Sequence, residues 1–267
     1  MFKIVIPTYL RSDTITKKTL TALQQEGFLA SDITLFVANP EEANLYKQKV
    51  PANLYSEIIV GVKGISAQRN FISRCYPEGT HLLYIDDDIR GFKRLKGFEN
   101  LHLPTLVQDM FTYCENNNSL LFGFYPACND LYLKPRVREG LHLVCGSCFG
   151  YINNHSFYTD ETLQCKVDYD LSVLSYRYTN NLVRVDFVSP ITSYWKSKGG
   201  LVAERTFESE MACARQLYYG NLDFFDKLYI KKNGRPDIRF SRKIPKKYCP
   251  VELDSSNVRI LFSETQT

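Results

Sequence analysis

HLLYIDDDIRGF, residues 81–92, decides how the rest of the chain is read. Four apolar residues, Leu82, Leu83, Tyr84 and Ile85, run straight into Asp86, Asp87 and Asp88. A short apolar run of this kind reads as a buried strand. Carboxylates in a row repel one another, so something positive must meet them where the strand ends. Hard oxygen ligands on neighbouring residues suit Mg²⁺ or Mn²⁺, which keeps several waters and shares its shell with substrate phosphates. The plainer alternative is a solvated acidic turn balanced by Arg90, Lys93 and Arg94 just downstream.

The segments before this strand repeat its pattern. Phe2–Pro7, Ile33–Ala38 and Glu57–Val60 read as short strands. Between them, Ile15–Gln25, a segment opened by Pro40-Glu41-Glu42, and Ile65–Cys75 read as helices. Alternating strands and helices imply a parallel sheet covered on both faces. In such sheets ligands sit beyond the carboxyl ends of the strands, which is where the three aspartates fall. Neither GxGxxG nor GxxxxGK[ST] occurs, which excludes a standard dinucleotide site and a P-loop. After Gly97 we expect helices at 103–116, 170–178 and 204–219, strands at 120–125 and 184–188, and strand and turn at 141–152. The stretch 129–139 reads as a polar, basic connection.

The bulk numbers fit one large domain. There are 267 residues, 44% of them apolar and 23% charged, which is an ordinary globular balance. No apolar run approaches membrane-spanning length, and the start does not look like a signal peptide, so we expect a cytoplasmic protein. The eight cysteines are scattered and read as reduced thiols; Cys145-Gly-Ser-Cys148 lacks the second pair a zinc site would want. Net charge is only +4, yet nine Lys and Arg against the single Asp237 crowd residues 227–247. A basic run of that kind suits a polyanionic partner, or is a solubilising tail.

Two more stretches carry candidate chemistry. GISAQRNF (64–71) places Arg69 and Asn70 near the start of a helix. KVDYDLS (166–172) opens a helix with Asp168 and Asp170. A carboxylate there serves as a general base if it reaches an acceptor hydroxyl, and otherwise simply caps the helix.

Together IPTYLR (6–11), AQRN (67–70), DDD (86–88) and VDYDLS (167–172) resemble the ordered motifs of GT-A-fold glycosyltransferases. ITLFVANPEEANLYKQ (33–48), the connection 129–153 and WKSKGG (195–200) are similar to a narrower branch, the TET-associated glycosyltransferases and the base J glucosyltransferase. Those enzymes, many of them phage-encoded, add a sugar to 5-hydroxymethylpyrimidines in DNA. The resemblance implies an α/β GT-A fold with a Rossmann-like, mostly parallel central sheet and helices on both faces. It divides the chain into a glycosyltransferase domain, 1–204, with a nucleotide-sugar half (1–100) and an acceptor half (101–204), and a C-terminal helix and basic appendage, 205–267.

It also implies roles. Pro7, Thr8 and Arg11 would line the nucleotide pocket, with Arg69, Asn70 and Asp87 on the nucleotide or its diphosphate. Asp86 would meet the ribose or sugar side, and Asp88 would be the principal ligand of Mn²⁺ or Mg²⁺, with Asp86 beside it. Gly146 and Ser147 would lie near the sugar of a UDP-sugar, and Lys196 and Lys198 near the leaving diphosphate. Asp168 would be the base, with Asp170 in reserve. Lys134, Arg136, Arg138, Lys231, Lys232, Arg235 and Arg239 would meet DNA carrying 5-hydroxymethylcytosine or 5-hydroxymethyluracil, in the host cytoplasm if the protein comes from a phage. The chain departs from the pattern twice: the late histidine ligand is missing, and Val167 stands where a glutamate is usual. The competing readings are a GT-A enzyme acting on a polysaccharide or protein, and a non-catalytic DNA-binding module.

Overall fold

The computed structural model describes residues 1–192, 206–254 and 257–260. Strands β1 (Lys3–Pro7), β2 (Ile33–Val37), β3 (Glu57–Val60) and β4 (His81–Ile85) form a parallel sheet in the order β3-β2-β1-β4. Their connections carry α1 (Thr21–Gln25), entered through a turn of π-helix at Thr16–Leu20, α2 (Pro40–Lys49) and α3 (Ile65–Cys75). Asn39 starts α2 by accepting the Glu42 N–H at 2.8 Å, with Pro40 at the first helical position.

β1, β2 and β4 are apolar along most of their length because both faces of the sheet are covered there, while the edge strand β3 is only partly buried. The period of two divides their residues between two cores. Ile4, Ile6, Leu83 and Ile85 pack on one face with Leu23 of α1 and Tyr46 of α2. Val5, Leu82 and Tyr84 pack on the other with Ile72 of α3.

The second half extends this sheet and mixes its directions. Its elements are β5 (Ile89–Arg94), α4 (Leu103–Asn116), β6 (Leu121–Phe124), β7 (Arg136–Gly140), β8 (Cys148–Ile152), α5 (Val167–Thr179), β9 (Val183–Val185) and β10 (Val188–Thr192). β8 runs antiparallel to both β4 and β6, β9 parallel to β6, and β7 antiparallel to β9. The parallel sheet expected from the alternation therefore occupies the first half, and the pairing is mixed beyond β4. α4 joins the first core, where Phe111 meets Phe122 edge-on at 5.0 Å, and Leu171 of α5 joins the second. β5 and β10 form a separate antiparallel ribbon directly after the aspartates.

Two segments differ from the sequence reading. Part of the supposed polar connection is β7, whose Val137 and Glu139 point inward while Arg136 and Arg138 point away. The C-terminal region, read as an appendage, contributes to the central sheet. It holds α6 (Phe207–Gly220), a hairpin of β11 (Phe225–Ile230) and β12 (Pro236–Phe240), then β13 (Lys246–Asp254), paired with β7, and β14 (Asn257–Ile260). α6 and the hairpin pack on Val167 and Val173 of α5 in a third core.

Close packing at the sheet centre makes one glycine irreplaceable. A Cβ on Gly150 of β8 would lie 2.0 Å from Cε1 of Phe122 on the neighbouring strand. Gly150→Ala should therefore cost about 1–3 kcal/mol by overpacking. A lower denaturation midpoint at unchanged slope would show it; an unchanged midpoint would mean the sheet yields there without strain.

Candidate active site

Because β1 to β4 are parallel, their carboxyl ends meet on one side, and the loops leaving them surround a cavity of about 270 Å³. Pro7, Thr8, Tyr9 and Arg11 come from the end of β1, and Lys63 and Gly64 from the turn after β3. Asp86–Asp88 follow β4. Cys145, Gly146 and Ser147 lead into β8, and Lys166, Val167 and Asp168 lead into α5.

The positive group that meets the aspartates is Arg11. Its guanidinium contacts the Asp87 carboxylate and lies 3.3 Å from Oδ2 of Asp88. Thr8 donates its hydroxyl to Asp87 Oδ2 at 2.7 Å, and Thr192 donates to Asp88 Oδ1 at 3.3 Å. Burial alone would lower the Arg11 pKa, but Asp87 and Asp88 outweigh it and hold it above its usual value. Tyr46 of α2 fixes this corner by accepting the Arg11 backbone N–H at 3.1 Å and bonding the Thr8 hydroxyl. Glu42 accepts the Leu10 N–H at 2.9 Å. Leu10 itself has φ +55°, a left-handed conformation unusual for a leucine, held by these flanking bonds.

Asp86 is different. Among the described residues its carboxylate has no hydrogen-bond partner, and it faces the cavity. Burial, with Asp88 and Asp87 beside it and against the pull of Arg69, pushes its pKa up to about 7. A group in that position is ionised fully only when more positive charge arrives. The described residues contain no cluster of three or more acidic, His or Cys ligands. Mg²⁺ and Mn²⁺ do not require one, since one or two carboxylates suffice when waters and phosphates complete the shell. Asp86 and Asp88 fit that requirement, whereas Asp87 is committed to Thr8 and Arg11.

On the cavity wall beside Asp86, Arg69 of α3 donates to the Gly146 carbonyl at 2.9 Å and lies 5.1 Å over the Phe149 ring. A Cβ on Gly146 would come within 2.6 Å of the Arg69 guanidinium, so a larger residue there would displace that side chain. Asp168, in the first turn of α5, is half-buried and accepts the Tyr169 N–H at 3.1 Å, with its other oxygen 3.5 Å from the Gly146 nitrogen. Lys166, just before it, has φ +59° and sends its amine to the Pro236 carbonyl and Asp237, at 2.8 and 3.3 Å.

Two expected residues lie elsewhere. Asn70 turns away from the cavity, where its amide bonds the backbone and hydroxyl of Thr159 and the Glu161 carboxylate. Asp170 is buried behind α5 and accepts the Asp160 N–H at 2.8 Å; it fastens a loop and is placed to take no proton from a substrate. Lys196 and Lys198 lie outside the described residues. The sequence reading missed Tyr9, Lys63 and Lys166 on the cavity wall; Lys63 lies 5.5 Å over the Tyr9 ring. The glycine pair flanking Val62-Lys63 was the signal available for it.

The expected DNA-contacting residues divide into two groups. On the hairpin, Lys231 meets Asp237, Arg235 Glu210 and Arg239 Asp226, so their charges are balanced locally, and Lys232 is exposed. Lys134 is exposed just before β7, which carries Arg136 and Arg138.

No protein-family profile and no curated protein sequence matches the chain. Solved structures do. A mycobacterial protein is similar with a TM-score of 0.52 at 12% identity, over 95% of this chain and 85% of that one. The S. aureus TarS fragment 1–349 gives 0.48 at 16% identity over 81% of this chain, which spans 65% of the fragment. Glucosyl-3-phosphoglycerate synthase from Mycobacterium tuberculosis, solved with Mg²⁺ and uridine diphosphate, gives 0.48 at 10% identity, over 90% and 87% of the two chains. The chain has an α/β fold similar to that of the mycobacterial protein. The aspartates follow β4 at the carboxyl end of the parallel strands, as the sequence led us to expect.

The two kinds of aspartate should separate in experiment. Asp87→Ala strands a buried guanidinium and should cost about 3–5 kcal/mol of stability. Asp86→Ala removes no partnered group and should leave the unfolding midpoint near that of the parent while weakening Mn²⁺-dependent UDP binding in calorimetry. Equal destabilisation by both would show that Asp86 is structural.

Proposed function

We propose that this protein is a metal-assisted glycosyltransferase that moves a sugar from a UDP-sugar to the hydroxyl of a 5-hydroxymethylpyrimidine in DNA. The observation that carries the transferase reading is the pairing of two kinds of carboxylate in one cavity. Asp86 and Asp88 line it from the end of β4, and Asp168 lines it from α5. Diphosphate binding and proton removal need distinct groups, and here different elements supply them.

Asp168 takes the proton of the acceptor hydroxyl. The oxygen then forms its bond to the anomeric carbon while the bond from that carbon to the diphosphate oxygen breaks, and UDP leaves with the electron pair. A single displacement of this kind inverts the anomeric centre. Asp86 and Asp88 would hold a Mg²⁺ or Mn²⁺ ion, which supplies positive charge for the diphosphate. Arg69 stays on the cavity wall, fixed by the Gly146 carbonyl and the Phe149 ring, and adds a second fixed positive charge. The DNA acceptor is supported by the motifs shared with the TET-associated and base J branch and by a cationic face on the second half of the sheet.

The test is transfer itself. The protein, Mn²⁺ or Mg²⁺ and a panel of UDP-sugars that includes glucose and arabinose would be incubated with DNA carrying 5-hydroxymethylcytosine or 5-hydroxymethyluracil. A hexose or pentose mass gain in the digested nucleosides is the expected result. Asp168→Asn should lower turnover by about 10²–10⁴-fold and leave UDP affinity unchanged. UDP release without any nucleoside gaining mass would keep a transferase and remove the DNA acceptor; a parallel loss of UDP affinity in Asp168→Asn would make that residue structural.

A further inference from the structure

The second half of the sheet carries a row of cations that its own acids do not balance. In register across the strands, one face reads Tyr84, Phe149, Gly123, Arg184, Arg138, Tyr248. Arg184 and Arg138 are direct cross-strand partners. Like charges in that relation destabilise a sheet unless counter-charge is supplied. Asp186, fully buried, supplies part of it by accepting from Arg184 at 2.7 Å and from Arg136 at 2.9 Å.

Arg138 is left over. It meets no carboxylate among the described residues, and its buried Nε has no hydrogen-bond partner there. Its guanidinium lies 5.9 Å from the centre of the Tyr248 ring, and Tyr248 is 45% exposed. Crowding deepens the imbalance. Burial and then Arg184 lower the Arg138 pKa, and burial followed by Arg138, Arg242 and Arg184 lowers that of Lys246. Glu139 cannot help, because it faces the opposite side, where Tyr113 and Cys249 hold it. Asp226, the other acid near Lys246, is paired with Arg239.

Towards the cavity the row is buried, with Arg184 7%, Phe149 1% and Tyr84 3% exposed, so its Arg138 and Tyr248 end is the part that meets solvent. Phe149 stacks on Tyr84 at 4.8 Å and lies under Arg69, which stands on the cavity wall. Tyr84 is two residues before Asp86. Arg138 is four strands away from Tyr84, or about 19 Å at a strand spacing of about 4.8 Å. That span equals between five and six base-pair rises of about 3.4 Å, roughly half a turn of duplex.

We propose that Arg138, with Lys246 beside it and the buried Arg184 keeping the site cationic, binds a backbone phosphate of the nucleic-acid acceptor. The proposal rests on the acceptor reading above. A phosphodiester supplies the missing negative charge, accepts from the unpartnered guanidinium, and is reached over the exposed Tyr248 edge. The hairpin cations Lys231, Arg235 and Arg239, each already facing an acid, contribute less.

The test is the salt dependence of binding of the full chain to a short duplex, followed by fluorescence anisotropy. Arg138→Gln and Lys246→Gln should each reduce the slope of log affinity against log salt by about one, with UDP affinity unchanged. Arg138→Lys should restore most of the slope, and Lys231→Gln should leave it as in the parent. Lys246 is only partly buried, so its variant carries the test if Arg138→Gln folds poorly. Duplex binding with the parental slope in both variants would overturn the phosphate site and leave the DNA acceptor standing. An absence of duplex binding by the parent would overturn both.

Discussion

Everything at the carboxyl end of the parallel strands depends on keeping three carboxylates together at the end of a buried strand. The fold does so by dividing them. Asp87 is turned into the protein and neutralised by Arg11 and Thr8, which come from the end of the neighbouring strand β1. Asp88 shares that guanidinium and a hydroxyl from Thr192. Only Asp86 remains without a partner among the described residues, and its raised pKa records the cost. The parallel pairing of β1 with β4 places Arg11 within reach, so the sheet topology and the charge balance of the site are one constraint.

A second buried acid does comparable work at the start of α5. Asp237 of the C-terminal hairpin receives Lys166, Lys231 and the hydroxyls of Tyr169 and Tyr229. Burial alone would raise its pKa, but Lys231 and Lys166 hold it below the usual carboxylate range. Lys166 and Tyr169 flank Asp168 in sequence. The hairpin thus clamps both neighbours of the proposed base and fixes a turn whose first residue is left-handed. The C-terminal region is in this sense part of the active-site wall.

The first half of the fold was legible because its signals were local. Glu57–Val60 and Ile65–Cys75 have the bounds that their residues suggest, since turns and glycines punctuate both. The aspartates could be placed because a strand must precede them. β7 was not legible: its five residues include two arginines, and it is a strand only because β9 and β13 pair with it. Asn70 and Asp170 were misplaced for a related reason. Spacing assigns a polar residue to the right helix, but which way it turns depends on loops distant in sequence, here residues 159–161.

The distribution of basic residues makes the same point about charge. Counted along the chain, residues 227–247 are the most basic segment. Counted in space, much of that charge is cancelled by Asp226, Asp237 and Glu210, two of them on or beside the hairpin strands and the third on α6. Arg138, which meets no carboxylate among the described residues, is half-buried on a strand that the sequence did not reveal. A polyanion responds to net field rather than to the number of lysines in a stretch. Where the chain has exhausted its own carboxylates, as beside Asp186, the remaining guanidinium is the one with binding free energy still to gain.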